Sequence, residues 1–122
     1  MKKSSLALAL ALALTMGVMS IPSAYAVDDV CAAGPAHCKI LKEDAKVRVI
    51  DYTAKKGDKV AMHSHPAHVI YILTGGKTRF TMADGSVKEI DAKPGDAMIN
   101  PAVTHATETL SDLHAIIVEM KE

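Results

Sequence analysis

GDKVAMHSHPAHVIYILTGG, residues 57–76, is the stretch that decides the fold. It places His63, His65 and His68 within six positions, directly before an apolar run and a Gly-Gly pair. Side chains two residues apart on a strand project from the same face, so His63 and His65 point the same way. Pro66 lacks a backbone donor and tends to end a strand, so the chain bends before His68. Such a bend can bring the third imidazole round to face the first two, and the pattern predicts a metal site.

The N-terminus has the pattern of a secretory signal peptide. Lys2 and Lys3 precede an apolar run over residues 6–19, and Ala24-Tyr25-Ala26 supplies a small-x-small cleavage site. An uncleaved membrane anchor is the alternative, but the run is shorter than the ~18 to 20 residues that a membrane span needs. We therefore expect residues 1–26 to be removed, and the mature protein to lie in the periplasm without a membrane anchor.

The mature sequence, residues 27–122, is small and carries little net charge. Loss of the two signal-peptide lysines leaves 12 basic against 14 acidic residues, with no basic cluster. This argues against nucleic acid as a partner, since phosphates require a basic surface. A chain of this size buries only about 60 to 70% of its unfolded surface and is marginally stable alone. We therefore expect support from a disulfide, a metal ion or a partner subunit.

The two cysteines, Cys31 and Cys38, are expected to form a structural disulfide. Export exposes them to an oxidising compartment, and the six residues between them, which include Gly34-Pro35, can fold into a loop that brings the sulfurs together. The alternative is a thiolate site with His37, for copper or for redox exchange, although the spacing is not that of C-x-x-C oxidoreductases. Residues 27–44 are predicted to form a short irregular extension.

From residue 45 onward the sequence alternates between short strands and turns. Gly75-Gly76 is expected to reverse the chain, and Asp84-Gly85 is a strong hairpin signal. No segment has a convincing helical period. The predicted strands are 46–52, 59–65, 68–74, 77–82, 86–91, 97–100, 105–109 and 113–120. Many short strands at regular spacing indicate an all-β sandwich or barrel.

Two motifs in this region resemble those of single-domain cupins. The first family motif is a glycine, five residues, His-x-His, three or four residues, a glutamate, six residues and a glycine. Gly57, His63, His65 and Gly75 fit it. Counting back from Gly75 puts His68 in the glutamate position, with one residue fewer after the histidine pair.

The second family motif is a glycine, five residues, proline, x, glycine, two residues, a histidine, three residues and an asparagine. Gly95, Pro101 and His105 fit it, with one residue fewer before the histidine. Val103 replaces the glycine and Thr109 the asparagine. Two motifs at the right separation are specific for the fold, but cupins carry out many different chemistries.

The resemblance implies a cupin-type double-stranded β-helix, a jelly-roll barrel over residues 45–122. It also implies a divalent metal ion inside the barrel, bound by His63, His65 and His105 with His68 in the glutamate position. Imidazole ligation suits zinc, copper, nickel or iron. Four neutral imidazoles would leave the charge of the ion uncompensated and attract an anionic ligand. His68 has the alternative roles of hydrogen-bond partner or pocket base.

Strand parity predicts the surroundings of this site. Ile70 and Ile72 share a strand face with His68, so they are expected to line the pocket together with Phe80 and Met98. The resulting pocket is expected to be small and apolar. We expect it to bind a small-molecule ligand or substrate, including an anionic one.

Two function classes remain open on this sequence. One is a metal-dependent enzyme, such as a small oxygenase, isomerase or hydrolase, with Glu108 and Asp96 as candidate general bases by sequence proximity. The other is a non-catalytic periplasmic protein that binds metal or a small ligand. His37 and His114 are interpreted as hydrogen-bonded packing residues. We also expect a homodimer, because pairing would cover exposed edge strands.

Overall fold

The computed structural model describes residues 27–121, so the predicted signal peptide lies outside the described residues. The described chain forms one short helix, a single 3-10 turn at Pro35–His37 and nine strands. The helix is α1 (Val30–Ala33), and the strands are β1 (Cys38–Glu43), β2 (Val47–Ala54), β3 (Lys59–His65), β4 (His68–Thr74), β5 (Gly76–Met82), β6 (Val87–Ala92), β7 (Ala97–Asn100), β8 (Val103–Thr109) and β9 (Leu113–Met120). Within residues 27–121, no helix has the length and apolarity to cross a membrane.

The nine strands form two antiparallel sheets. One has five strands in the order β1-β2-β9-β4-β7, and the other has four in the order β3-β8-β5-β6. From β2 to β5 each strand joins the opposite sheet from the one before it, so the chain winds around a shared interior. This arrangement confirms the predicted all-β, jelly-roll fold.

The predicted strands are confirmed, with ends that agree to within two residues. The N-terminal segment is more regular than expected, since it contains both α1 and β1. β1 pairs with β2, but its register shifts between Ile40 and Lys42. Leu41 has no register partner at this shift. The two consecutive apolar residues Ile40 and Leu41 therefore break the alternation that identifies a strand in the sequence.

Gly75 and Gly76 do not make the expected reversal between paired strands. β4 and β5 lie in different sheets, and the two glycines carry the chain from one to the other. A Cβ atom on Gly75 would come within 2.5 Å of the Ala92 carbonyl oxygen, and one on Gly76 within 2.5 Å of the Asp112 carbonyl oxygen. Close backbone approach therefore requires glycine at both positions.

The core lies between the sheets in two neighbouring clusters. The larger one contains Ile50, Tyr52 and Ile117, and Val30 of α1 packs against them. The disulfide forms as expected between Cys31 and Cys38, whose Cα atoms are 5.4 Å apart, and both half-cystines pack on this cluster. No free cysteine occurs within residues 27–121, so the alternative thiolate site is wrong.

Candidate metal centre

Three imidazoles converge between the sheets because of strand parity and register. His63 and His65 lie two residues apart on β3, and His105 on β8 is the register partner of His63. Directly opposed residues on antiparallel strands have neighbouring side chains. One ring nitrogen from each of the three residues lies within 4.8 Å of the others. All three side chains are buried, with at most 8% of any residue exposed.

The hydrogen bonds of His63 and His65 fix the same ring tautomer. His63 Nδ1 lies 2.8 Å from the Ala61 carbonyl oxygen, and His65 Nδ1 lies 2.8 Å from Glu119 Oε2. Both partners are acceptors, so each Nδ1 carries the hydrogen and donates it. Each neutral ring therefore presents a bare Nε2 lone pair to the interior.

These two lone pairs face each other, with the Nε2 atoms of His63 and His65 only 3.1 Å apart. When both rings are neutral, neither can donate to the other, and a metal ion in contact with both nitrogens would satisfy both lone pairs. Zinc bonded at about 2.1 Å separates two nitrogen ligands by about 3.0 Å at a right angle and by about 3.4 Å at the tetrahedral angle. The observed spacing falls between these limits, and the residues present therefore fit a metal ion.

Burial favours the neutral form of His63, His68 and His105. It lowers the pKa of His63 and of His68, and with the neighbouring imidazoles and Lys88 it lowers the pKa of His105 to about 3. A metal ligand must offer an unprotonated nitrogen. Burial therefore favours, at His63 and His105, the protonation state that ligation needs.

A buried carboxylate that the sequence analysis missed completes the site. Glu119 on β9 is 1% exposed; it accepts the hydrogen of His65 Nδ1 and a second hydrogen bond from Arg48 Nε at 2.8 Å. Burial alone would raise the pKa of Glu119, but the hydrogen bonds from His65 and Arg48 outweigh it and hold that pKa below its ordinary value. Glu119 thus orients His65, while Arg48 balances the charge of its carboxylate.

Arg48 connects the centre to the N-terminal segment. Its Nη2 atom lies 3.1 Å from Asp29 Oδ1, and the same Asp29 oxygen accepts the backbone N–H groups of Cys31 and Ala32 at the start of α1. Asp28 contributes its carbonyl oxygen to the backbone N–H of Ser64, at 2.9 Å, between the two β3 histidines. The segment predicted to be an extension is thus attached directly to the site.

His68 lies beside the three-histidine group rather than within it. The residue is 2% exposed, and its ring centroid is 4.7 Å from that of His65. Its Nδ1 donates to the Pro66 carbonyl oxygen at 2.8 Å, and Asn100 Nδ2 donates to its Nε2 at 3.4 Å. β4 belongs to the opposite sheet from β3 and β8, so His68 approaches the group from across the interior.

An apolar cavity of about 250 Å³ lies beside these histidines. His68 and His105 line it, as do the four predicted pocket residues, Ile70, Ile72, Phe80 and Met98. A second, smaller cavity of about 70 Å³ is lined by His63, His65, His68 and His105 together. His68 and His105 border both spaces, so the candidate centre lies where the cavities meet.

The two carboxylates proposed as general bases are in the wrong place. Glu108 points away from the interior and pairs with Arg79 at 3.1 Å, because it alternates with the inward residues of β8. Asp96 is exposed and accepts the backbone N–H of Lys93 in a turn, at 2.8 Å. Neither residue lines a cavity.

The two remaining histidines are packing residues, as predicted. His37 Nδ1 lies 3.0 Å from the Thr53 carbonyl oxygen, and His114 Nε2 lies 2.8 Å from Asp51 Oδ1. Both contacts lie outside the cluster of site histidines.

The two-sheet arrangement of the strands is that of a cupin-type barrel. The chain resembles a cupin domain from Bordetella pertussis tohama i, with 17% identity, a TM-score of 0.63, and coverage of 70% of this chain and 92% of that one. It resembles DMSP lyase DddQ from Ruegeria pomeroyi with 23% identity and a TM-score of 0.53, over 70% of this chain and 46% of the lyase. It resembles polyketide cyclase RemF from Streptomyces resistomycificus with 20% identity and a TM-score of 0.53, over 70% and 64% of the two chains.

At these identities the likeness shows the fold alone. No family model matches the sequence, and no curated protein matches it. The chain therefore has the cupin fold, and its chemistry has to be argued from its own residues.

Proposed function

We propose that this protein binds one divalent metal ion through His63, His65 and His105. The observation that carries the proposal is the 3.1 Å contact between the Nε2 atoms of His63 and His65, both of which are acceptors in their hydrogen-bonded tautomers. His105 brings a third neutral nitrogen from the adjacent strand. Neutral imidazoles are ligands for zinc, copper, nickel or iron, and the affinity order favours copper and zinc.

Glu119 and Ala61 would hold the ligands in place. A ligating histidine commonly donates its second ring N–H to a carboxylate or a backbone carbonyl, which fixes the ring and raises its basicity. Both arrangements are present here, on His65 and on His63 respectively. In this proposal His68 is not a ligand. It faces the same interior and hydrogen-bonds Asn100.

A titration with matched variants tests metal binding. Metal-free protein is titrated separately with Zn²⁺, Cu²⁺, Ni²⁺ and anaerobic Fe²⁺, and bound metal is measured after desalting. We expect one ion per chain. His63→Asn keeps a donor near the Nδ1 position but lacks Nε2, so its affinity should fall by more than the roughly 10- to 100-fold that loss of an outer partner causes.

His114→Asn is the control, because His114 bonds Asp51 outside the cluster and should not affect binding. A wild-type protein that retains none of the four metals would refute the proposal. So would equal affinities of wild type and His63→Asn.

We further propose that the metal site serves a small-molecule reaction of the oxygenase type. A bound iron or copper ion would supply the redox chemistry with O₂ that an oxygenase needs, and the apolar cavity beside His68 and His105 would hold the substrate and exclude solvent. A non-catalytic binding protein is the alternative. It is favoured by the scarcity of polar side chains in the cavity, which offers Thr78, Lys88 and Asn100 besides the histidines.

Oxygen uptake separates these two functions. Metal-loaded protein is incubated with dicarbonyl, thiol and phenolic compounds, and His63→Asn serves as the background. Uptake that depends on His63 supports an enzyme. Metal binding without turnover of any compound supports the non-catalytic function.

We propose that the protein acts in the periplasm after removal of residues 1–26. The signal pattern and the disulfide support this location, since disulfides persist in oxidising compartments. The N-terminal sequence of protein recovered from a periplasmic fraction tests it. A first residue of Val27 is expected, and recovery of the uncleaved chain from the cytosol would contradict it.

A further inference from the structure

The hairpin of β5 and β6 forms one wall of the larger cavity. On β6, the residues that face inward are Lys88, Ile90 and Ala92, and Lys88 is paired in register with Phe80 of β5. Apart from the histidines, Lys88 is the one ionisable residue among the described residues that line this cavity. It is exposed to solvent, as are the lining residues Pro101 and Ala102. These three residues therefore mark the side on which the cavity meets water.

The charge of Lys88 lacks the compensation that its neighbours have. On the outer face of the same hairpin, Lys77 and Arg79 pair with Glu89 at 3.2 and 3.0 Å. Among the ion pairs of residues 27–121, none includes Lys88. The outward cations of the hairpin are thus paired with carboxylates, whereas the inward cation is not.

Lys88 shares the cavity with His105, which lies at the end near the candidate centre. The walls between the two residues are apolar, and interactions between charges are stronger where water is excluded. An anion inside this space would be attracted by Lys88 and would face no opposing carboxylate among the described lining residues.

We propose that the cavity binds a small carboxylate with an apolar body, with the carboxylate paired to Lys88. A volume of about 250 Å³ is slightly below the range of about 300 to 1,000 Å³ for pockets that hold drug-sized ligands, so the ligand is small. Ile70, Ile90 and Phe80 contact its apolar part. This inference deepens the proposed function, on which it rests for the role of the cavity, but the binding itself does not require the metal.

A structural role for Lys88 gives a different expectation. β6 is an edge strand, and inward charges on edge strands protect sheets from pairing with other chains. A lysine with only that role would not distinguish a carboxylate from a neutral molecule of the same shape.

Calorimetric titration of the metal-free protein measures its affinity for two probes and so tests the inference. The probes are 3-phenylpropionate and 3-phenylpropionamide, which share one shape and differ in charge. We expect the wild type to bind the acid about fivefold more tightly than the amide or better. NMR shift changes on binding should centre on Ile70, Phe80 and Ile90.

Substitutions of Lys88 then test whether this residue causes the preference for the acid over the amide. Lys88→Met should bind both probes equally, and Lys88→Arg should keep the preference for the acid. Lys42→Met removes the same charge at an exposed position outside the cavity, and its probe binding should match the wild type. Lys88 is exposed, so its variants should keep the wild-type melting temperature.

Failure of 3-phenylpropionate to bind would overturn the inference, as would a preference for the acid that survives Lys88→Met. Failure of the metal proposal gives a different result. In that case none of the four metals would bind, while the carboxylate preference and its dependence on Lys88 would remain.

Discussion

His65 Nδ1 and Glu119 Oε2 lie 2.8 Å apart, across the two sheets, and this bond joins the histidine cluster to a buried ion pair. Glu119 and Arg48 are also register partners on neighbouring strands. Two charged residues outside the three-histidine group therefore orient His65.

Glu119→Gln should weaken metal binding by roughly 10- to 100-fold, because the amide can still accept from His65 but has lost its negative charge. The change also leaves Arg48 without its anionic partner, and breaking a buried ion pair on one side destabilises a protein by about 3 to 5 kcal/mol. The double variant Arg48→Met/Glu119→Gln should recover much of that stability while its metal affinity stays low. Equal metal affinity in wild type and both variants would contradict this role.

The metal-free protein should lose stability as the pH falls below about 6.5. The pKa of His105 is lowered to about 3 by burial and the neighbouring imidazoles, so between these values the unfolded chain binds a proton that the native state does not. Stability therefore rises with pH across this window, by up to about 1.4 kcal/mol per pH unit for one such group. The depressed pKa of Glu119 acts in the same direction. Denaturant midpoints at pH 7 and pH 4 measure the effect, and equal midpoints would contradict it.

Removal of the disulfide should destabilise the protein by roughly 2 to 3 kcal/mol. Cys31 and Cys38 are seven positions apart, and closing so short a loop restricts the unfolded chain by about that amount. The double variant Cys31→Ser/Cys38→Ser and the chemically reduced wild type should unfold at the same, lower urea concentration. If reduction leaves the midpoint unchanged, the bond has no stabilising role.

The protein should be a homodimer at micromolar concentration, with the outer face of the five-stranded sheet as the contact. Val49, Val118, Val69 and Ile99 lie side by side across four strands in consecutive register pairs. Ile99 is 84% exposed. A row of this kind on both copies can pair about a twofold axis.

Light scattering measures this state. Ile99→Asp should produce a monomer, because it puts a charge in the apolar row. Val87→Asp is the matched control, since Val87 is 58% exposed but lies on the other sheet. A monomeric wild-type protein would contradict the prediction.

Alternation and turn residues made most of the fold predictable. Paired histidines on β3 and the cupin-like spacing to His105 identified the three residues that converge. The parity argument also put Ile70 and Ile72 on the inner face with His68. Local patterns were sufficient because strand parity decides which side chains point inward.

Glu119 and Arg48 were missed, although a signal was present in the sequence. Glu119 is in phase with the inward residues Ala115 and Ile117, and Arg48 is in phase with Ile50. A charged residue at an inward position requires a partner, and two of opposite sign on different strands can be partners. Which strands are neighbours depends on the long-range topology, so the pairing could not be found from local pattern alone.

The role of His68 could not be predicted from sequence spacing either. Its distance from Gly75 matches that of a ligand in the family motif, but its hydrogen bond with Asn100 depends on the pairing of β4 with β7. The role of Gly75-Gly76 likewise follows from the separation of β4 and β5 into two sheets.

The contacts of Arg48 with Glu119 and Asp29 span 71 and 19 positions along the sequence. Ribosomal synthesis delivers Asp29 early and β9 last among the described strands, so the four-residue chain from Asp29 to His65 is completed only when nearly all of these strands exist. Topologies dominated by such distant contacts fold slowly. Metal acquisition should consequently follow folding, because the three histidines have not yet converged in an unfolded chain.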